Sequence, residues 1–595
     1  MRLLAANQLT VELNGIIILK NISLEIEEGD RTALLGENGA GKTTLLKALH
    51  GKIPITEGSI SWGVKKEEIG WMMDEEADGS LNVLQYIQKG QPRLSSLKEK
   101  LDECQKVWQE HQHSQEFVEG YTNMLQSYTE MGGYEWELDI ERALKEVGIP
   151  EGLWKESFNR LSGGQKTRVK LADLTVKKPK LLILDEPTNH LDSASVDWLA
   201  DWLSSYKGTV LFISHERDFI DRTASVTYEL TKNGAKRYQG GYSRYKELRD
   251  EERKAHAALY EKQKQEKKKL LEIIQNYKQW YQKASNFASV RNPYAQKQAG
   301  RQAAKVKAKE KQLERLESRR VDKPQAARGI KAAFSSDAID SKRIVALEGV
   351  SFSYNEGTPL YENMNLSISR GERIAVIGPN GAGKTTLLKL LTGKLSPDSG
   401  AVKRNPQLKT GYFMQELEEL GLENTILQEI LQIKEITEED ARTILACFLF
   451  RRDDVYKKIR DLSMGEKCRV AFVKLYFSDS NLLILDEPAN YLDISAREQI
   501  ETALLSYDGS VVIVSHDPYM LRKVSTRVIS VTPGKVLDFK GTYPEWENHE
   551  ARDSDGQAAV NQRLQLELKL GDLLNGETAD LEQIKSIRKK IDELK

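Results

Sequence analysis

Cysteine is scarce. Three thiols, Cys104, Cys447 and Cys468, are spread over 595 residues. Their odd number and wide spacing exclude a disulfide framework and a cysteine zinc site, and they suit a reducing, cytoplasmic compartment. His111 and His113 stand near Cys104, but that spacing matches no metal-binding pattern and reads as a surface helix. No apolar run approaches the roughly 18 residues that span a bilayer. The opening stretch, MRLLAANQLTVEL, lacks the apolar core of a signal peptide. Net charge is also nearly absent: 88 basic against 89 acidic side chains leave −1, so bulk charge selects no partner. At 39% hydrophobic and 30% charged residues, the composition suits a soluble, helix-rich chain long enough for several domains.

One local absence says more. Between Ile273 and Lys309 there is no Asp or Glu, while Lys278, Lys283, Arg291, Lys297, Arg301, Lys305, Lys307 and Lys309 all fall there. Tyr277, Trp280, Tyr281, Phe287 and Tyr294 are interleaved with that charge. The flanks are helical in pattern, and Asn292-Pro293 breaks them, because the residue before proline is pushed out of helical geometry. The stretch from Arg244 to Arg320 therefore reads as two long helices folded about a basic, aromatic tip spanning Ala284 to Gly300. A helix of about 38 residues would reach roughly 57 Å. Such a tip suits phosphate backbones and base stacking. A solvated charged helix pair is the plainer alternative.

Ahead of this stretch, strand-like alternation covers Leu9 to Leu13 and Ile16 to Leu19, and the turn Glu28-Gly29-Asp30 leads into an apolar strand, Thr32 to Leu35. Then comes Gly36-Glu37-Asn38-Gly39-Ala40-Gly41-Lys42-Thr43-Thr44 and a helical pattern. Strand, glycine-rich turn and helix form the context of a P-loop. Backbone amides and the helix N-terminus cradle phosphates there, Lys42 reaches the β- and γ-phosphates, and Thr43 holds Mg²⁺. Farther on, the motif Leu161-Ser162-Gly163-Gly164-Gln165 precedes an apolar strand, Leu181 to Leu184, that ends in Asp185-Glu186-Pro187-Thr188-Asn189-His190-Leu191-Asp192. Another strand, Thr209 to Ser214, ends at His215. Paired carboxylates at a strand end suit Mg²⁺-dependent phosphoryl transfer, one for the metal and one for the attacking water.

The set recurs. Gly378 to Thr386 repeats the P-loop, with Gly378, Asn380, Gly381, Gly383, Lys384, Thr385 and Thr386 in the matching places. Leu462-Ser463-Met464-Gly465-Glu466, the strand ending in Asp486-Glu487, and Ser515-His516 follow. Ser162 and Ser463, Glu186 and Glu487, and His215 and His516 are each 301 residues apart, whereas the P-loop lysines are 342 apart. The first copy thus carries 41 extra residues (342 − 301), read as a helical arm.

P-loop, LSGGQ, LDEPTNHLD and SHERDF, twice in one chain, resemble the ATP-binding-cassette superfamily. The arm and the basic linker resemble its ABC-F branch, as do the segments Tyr238-Gln239-Gly240-Gly241-Tyr242-Ser243-Arg244-Tyr245 and Arg301-Gln302-Ala303. The resemblance implies an α/β fold of two tandem P-loop domains joined by a helical hairpin, with a helical C-terminal extension. Expected boundaries are 1–243 for the first domain (arm about 82–133), 244–322 for the linker, 323–549 for the second domain (core from about 343) and 550–595 for the extension. Within the extension, Leu564, Leu568 and Leu570, then Asn575-Gly576, then Ile584, Ile587, Ile591 and Leu594 suggest a hairpin, either a ribosome contact or packed on the protein itself.

The resemblance further implies a monomer whose cassettes close head to tail on two ATP molecules. One composite site would join Lys42, Thr43, Asp185, Glu186 and His215 to Ser463 and Gly465. The other would join Lys384, Thr385, Gln415, Asp486, Glu487 and His516 to Ser162, Gly163 and Gly164. Glu186 and Glu487 are expected to polarise water, and His215 and His516 to meet the γ-phosphate. Three departures fall on the Lys42 site. Tyr354, expected to stack on adenine in the second cassette, has no aromatic counterpart around Glu12 and Leu13. Asp74 replaces the metal-facing glutamine represented by Gln415. Met464 replaces a signature glycine, adding a Cβ where backbone approaches phosphate. Slower hydrolysis at the Lys42 site is expected, the alternative being drift without consequence.

By resemblance, the partners are the ribosome, its rRNA and tRNA. Binding is expected at the exit (E) site, with Lys283, Phe287, Arg291, Tyr294, Lys297 and Arg301 as tip contacts near the peptidyl-transferase centre. Translation and protection against antibiotics are the implied roles. Two other classes stay open: the ATP-binding subunit of a membrane transporter, and a nucleic-acid-binding ATPase in repair.

Overall fold

The computed structural model describes residues 1–73, 81–108, 115–189, 191–287, 293–322, 343–354, 359–433, 436–450, 452–532 and 534–550. The expected C-terminal hairpin, Asp74, His190 and Arg291 lie outside these residues.

Each cassette is built on a six-stranded sheet. In the first, the spatial order is Ile69–Met72, Leu181–Asp185, Thr209–Ile213, Arg31–Leu35, Val226–Thr231 and Gly234–Gln239. All neighbours are parallel except the last pair. Apart from Asp185 and Thr209 at their ends, the central strands Leu181–Asp185 and Thr209–Ile213 are apolar and buried on both faces, as parallel strands must be when helices cover them. The second cassette repeats the order with Thr410–Tyr412, Leu482–Asp486, Ser510–Val514, Arg373–Ile377, Arg527–Thr532 and Lys535–Phe539. This topology sets the P-loop, the acidic pair and the histidine at the carboxyl ends of adjacent strands, where open α/β sheets bind ligands.

A three-stranded antiparallel sheet flanks each six-stranded one. In the first cassette its leading strands run Arg2–Leu13 and Ile16–Glu27, much longer than alternation suggests. Gln8 has φ of 48°, and the register shifts between Ala6 and Leu9. That bulge breaks the period-two pattern and hides half of each strand.

The arm comprises helices Pro92–Trp108 and Gln115–Glu130, followed by Gly133–Glu146. Leu94, Leu101, Tyr128 and Trp136 are buried together with the cassette core. The Tyr128 hydroxyl donates to Gly133 O at 3.2 Å and to Glu137 at 2.5 Å, pinning the arm's return.

The linker helix Tyr242–Phe287 has 46 residues, about 69 Å at 1.5 Å per residue. It exceeds the expected 38 because it begins two residues before Arg244, directly after Gly241, and runs on into the expected tip as far as Phe287. The return helix, Pro293–Ser318, opens on proline, whose missing N–H costs nothing at a helix start. Leu270 and Ile274 are buried along the hairpin, and Lys267–Glu317 (2.7 Å) and Lys278–Glu310 (2.8 Å) bridge it.

Candidate nucleotide sites

Both P-loops turn through left-handed glycines, Gly41 (φ 94°) and Gly383 (φ 105°), which cap the helices Lys42–His50 and Lys384–Thr392. A side chain there would be strained. Lys42 Nζ donates to Gly36 O (2.8 Å) and Glu37 O (3.3 Å). Lys384 Nζ donates to Gly378 O (2.6 Å) and Pro379 O (3.1 Å) and lies 3.4 Å from His516 Nε2. Burial lowers the pKa of both lysines, and nearby carboxylates offset part of that shift.

Glu186 and Glu487 follow the acidic strands in left-handed conformation, φ 47° in each, unusual for a side-chain-bearing residue. Their N–H groups donate to Ile213 O and Val514 O on the neighbouring strands, which holds the turn. Among the described residues, Glu186 Oε2 and Glu487 Oε1 are buried without a hydrogen-bond partner. Burial raises the pKa of Glu186 to about 7 and that of Glu487 to about 8. His215 Nε2 stands 3.1 Å from Glu186 Oε1, and His516 Nε2 stands 3.5 Å from Glu487 Oε1. Burial drives His215 well below its ordinary range and His516 down to about 4, so both rings are neutral at pH 7.

A cleft of about 1440 Å³ joins the two sites. That exceeds the roughly 300–1,000 Å³ of a single-ligand pocket. Asn38, Gly39, Gly41, Lys42, Thr43, Thr44, Glu186 and His215 line it from one cassette. Tyr354, Asn380, Gly381, Gly383, Lys384, Thr385, Thr386, Ser463, Gly465, Asp486, Glu487 and His516 line it from the other. Gly36 and Gly378 contribute the carbonyls beneath the lysines. Tyr354 donates or accepts a hydrogen bond with Thr386 Oγ1 at 2.9 Å, beside the second P-loop.

The two halves are not assembled alike. The second signature enters the cleft: Gly465 lies against Asn38 and the Tyr491 carbonyl, with no room for a Cβ. Asn38 N donates to Asp493 Oδ2 across the seam at 2.6 Å, and Asn38 Nδ2 reaches Tyr491 O at 3.4 Å. The first signature, Ser162, Gly163 and Gly164, is not among the cleft-lining residues. Ser162 caps the helix Gly163–Val176 by accepting from Gln165 N, and Gly164 packs on Ser195 of its own cassette. Gln415 also departs from expectation. It sits in the helix Phe413–Glu418, and its Nε2 donates to Glu419 at 2.8 Å, four residues on, which turns it along its own helix.

These residues fit a magnesium nucleotide. The phosphate cradle is lined by backbone and lysine, and unpaired carboxylate oxygens stand beside it. Thr385 Oγ1 donates to Asp486 Oδ2 at 2.9 Å, so hydroxyl and carboxylate already converge where a cation would neutralise phosphate charge. Thr43 and Asp185 are the first cassette's counterparts.

A charged seam that motif reading misses closes the interface. Arg217 pairs with Glu501 and with Asp517 (2.7 Å), and Arg497 pairs with Glu216 (3.1 Å) and Asp517 (3.3 Å). The linker base joins it: Tyr242 Oη donates to Glu498 at 2.8 Å, and Lys246 pairs with the same carboxylate at 2.7 Å. Aligning the two repeats gives the one sequence signal, since Arg497 and Arg217 face Val196 and Pro518 at the 301-residue offset.

The sequence profile of a family described as ABC transporter matches residues 19–189 and 361–490, and a second profile of that description matches residues 228–334. The chain is 31% identical to ABC transporter F family member 5 of Arabidopsis thaliana, over 89% of this chain and 75% of that one. This chain belongs to the ABC-F family. It is also 30% identical to the energy-dependent translational throttle protein EttA of Escherichia coli, over 92% of this chain and 95% of that one. The fold resembles the archaeal ribosome recycling factor aABCE1, solved with the ribosomal stalk protein aP1. The TM-score is 0.52 at 18% identity, over 90% of each chain. As an ABC-F protein the chain binds ATP through its cassettes. No described helix is long and apolar enough to cross a membrane.

Proposed function

We propose that this ABC-F protein is a Mg²⁺-dependent ATPase that binds the ribosome at its tRNA exit site, extends its linker toward the peptidyl-transferase centre and protects translation from antibiotics acting there. The linker carries this reading. Two helices, the first about 69 Å long, present a tip region free of acidic residues from Ile273 to Lys309. Trp280 is 53% exposed on that stretch and Lys283, Lys297 and Arg301 are exposed with it. Phe287 ends the first helix and Tyr294 is the second residue of the return helix, and Arg291 lies between them in sequence. Apolar rings and cations left in water together match stacked bases and phosphates. The name of the Escherichia coli relative, a translational throttle, favours the same reading.

In the sites, Glu186 and Glu487 take a hydrogen bond from the attacking water through their unpaired oxygens and orient it. The neutral rings of His215 and His516 face the terminal phosphate. Lys42 and Lys384 leave their carbonyl partners to reach the phosphates. Thr43, Asp185 and Asp74 in one site, and Thr385 and Asp486, with Gln415 once its amide leaves Glu419, in the other would hold Mg²⁺, which neutralises phosphate charge when bound. ATP joins the cassettes, and the linker base, bonded to both, reorients with them.

The family description favours a second reading, the motor subunit of a membrane transporter. Cell fractionation separates the two. The ribosomal reading predicts an RNase-sensitive high-molecular-weight pool and lowered antibiotic susceptibility in cells expressing the protein. A membrane pellet resistant to RNase would support transport instead.

A further inference from the structure

Asp493 uses both carboxylate oxygens. Oδ1 accepts from Ala496 N at 2.8 Å and caps its own helix, Ile494–Leu505, while Oδ2 accepts the Asn38 amide of the opposing P-loop. Arg497, one turn along that helix and 5% exposed, braces this arrangement from behind. Its Nε donates to Leu492 O at 3.1 Å, immediately before Asp493, and its Nη1 donates to Glu216 of the first cassette, immediately after His215. One guanidinium thus ties the Asp493 segment to the strand end that carries His215, and the same Nη1 reaches Asp517 of its own cassette, beside His516, at the longer distance of 3.3 Å.

The other half lacks this brace. Val196 occupies the position of Arg497 at the 301-residue offset and has nothing to donate. Asp192, the counterpart of Asp493, caps its helix through Ser195 N at 2.9 Å. Among the described residues, no hydrogen bond joins it to the amide of Asn380; the Asn380 side chain instead meets His516 Nε2 at 3.3 Å.

We propose that Arg497 is a positioning residue chiefly for the Lys42 site, seating Asp493 on the first P-loop so that this site is preassembled while the Lys384 site is not. The inference rests on reading both P-loops as nucleotide sites, but its first test needs no nucleotide. In the full-length, nucleotide-free protein, amide exchange is measured at Asn38 and Asn380. A hydrogen bond to a carboxylate predicts exchange at Asn38 about tenfold slower or more than at Asn380. Arg497→Val should equalise them, and Arg497→Lys should restore part of the difference. Turnover is then measured one site at a time. With Glu487→Gln in place, Arg497→Val should raise KM about tenfold with little change in kcat, the signature of lost uniform binding. With Glu186→Gln in place, KM should hardly move. Equal exchange at Asn38 and Asn380 in the parent protein, or equal KM changes at both sites, would overturn the proposal. If Arg497→Val does not fold, the parent comparison and Arg497→Lys decide. Protection at Asn38 that Arg497→Lys leaves wholly intact would also reject the assignment. Turnover left unchanged by Glu186→Gln and Glu487→Gln, with the Asn38 protection pattern intact, would instead count against the hydrolytic roles assigned to the glutamates.

Discussion

Glu186 and Glu487 pay for their position: each carries a left-handed backbone and a carboxylate oxygen buried without a partner among the described residues. Native structures keep such features where they serve chemistry. Replacing a water-orienting carboxylate by its amide lowers turnover at its own site by about 100-fold or more. With slower hydrolysis at the Lys42 site, Glu487→Gln should remove most steady-state phosphate release and Glu186→Gln much less. Equal losses would end the idea of unequal sites. The residues of both P-loops, both acidic pairs and both histidines were legible from motif spacing, because phosphate binding dictates local backbone geometry. Arg497, Asp493 and Tyr491 were not legible as site residues, because their work depends on which surface of the other cassette they meet. Gln415 shows the converse: its motif position is clear, but rotation along its own helix directs the amide to Glu419.

At the scale of elements, the linker helix is not a tether attached to finished domains. It grows out of the first cassette and bonds to the second, with Tyr242 and Lys246 sharing Glu498 on the helix that Asp493 caps. Hydrophobic period and charge segregation made the hairpin readable. Its extra length was not, since nothing between Ala284 and Phe287 marks whether the helix continues into the tip. The seam beside it makes a stability prediction. Arg217 is 3% exposed and holds Glu501 and Asp517, each 2% exposed. Arg217→Met removes the cation shared by two buried carboxylates and leaves only Arg497 on Asp517 and Lys523 on Glu501, at a cost of up to about 3–5 kcal/mol. Thermal denaturation should show a clear fall, and adding Glu501→Gln should return part of it. An unchanged melting temperature would mean that water reaches the seam. On the linker, Lys283→Glu, Lys297→Glu and Arg301→Glu together should weaken RNA binding. They should also flatten its salt dependence, by about one unit of slope for each phosphate that is no longer neutralised. An unchanged slope would remove these side chains from the interface.

Across the whole molecule, the sequence repeats two composite sites with departures at the Lys42 site that predict unequal hydrolysis, and the structure has one continuous cleft whose halves also differ at the seam. The fold was readable because each cassette repeats its motifs in order. The difference at the seam was not, because it depends on which surfaces meet there: Arg497 meets Glu216, while the apolar Val196 cannot form an ion pair. A two-site clamp whose base carries a long basic hairpin can exchange ATP binding for movement of that hairpin. The most direct test is ribosome co-sedimentation of the Glu186→Gln, Glu487→Gln double variant, which should bind ATP and close without hydrolysing it. ATP-driven ribosome binding predicts that the variant pellets with ribosomes when ATP is present and remains in the supernatant without it, and that reversing the tip charges weakens the ATP-dependent pool. A variant that stays in the supernatant with ATP, or pellets equally without it, would contradict ATP-driven ribosome binding.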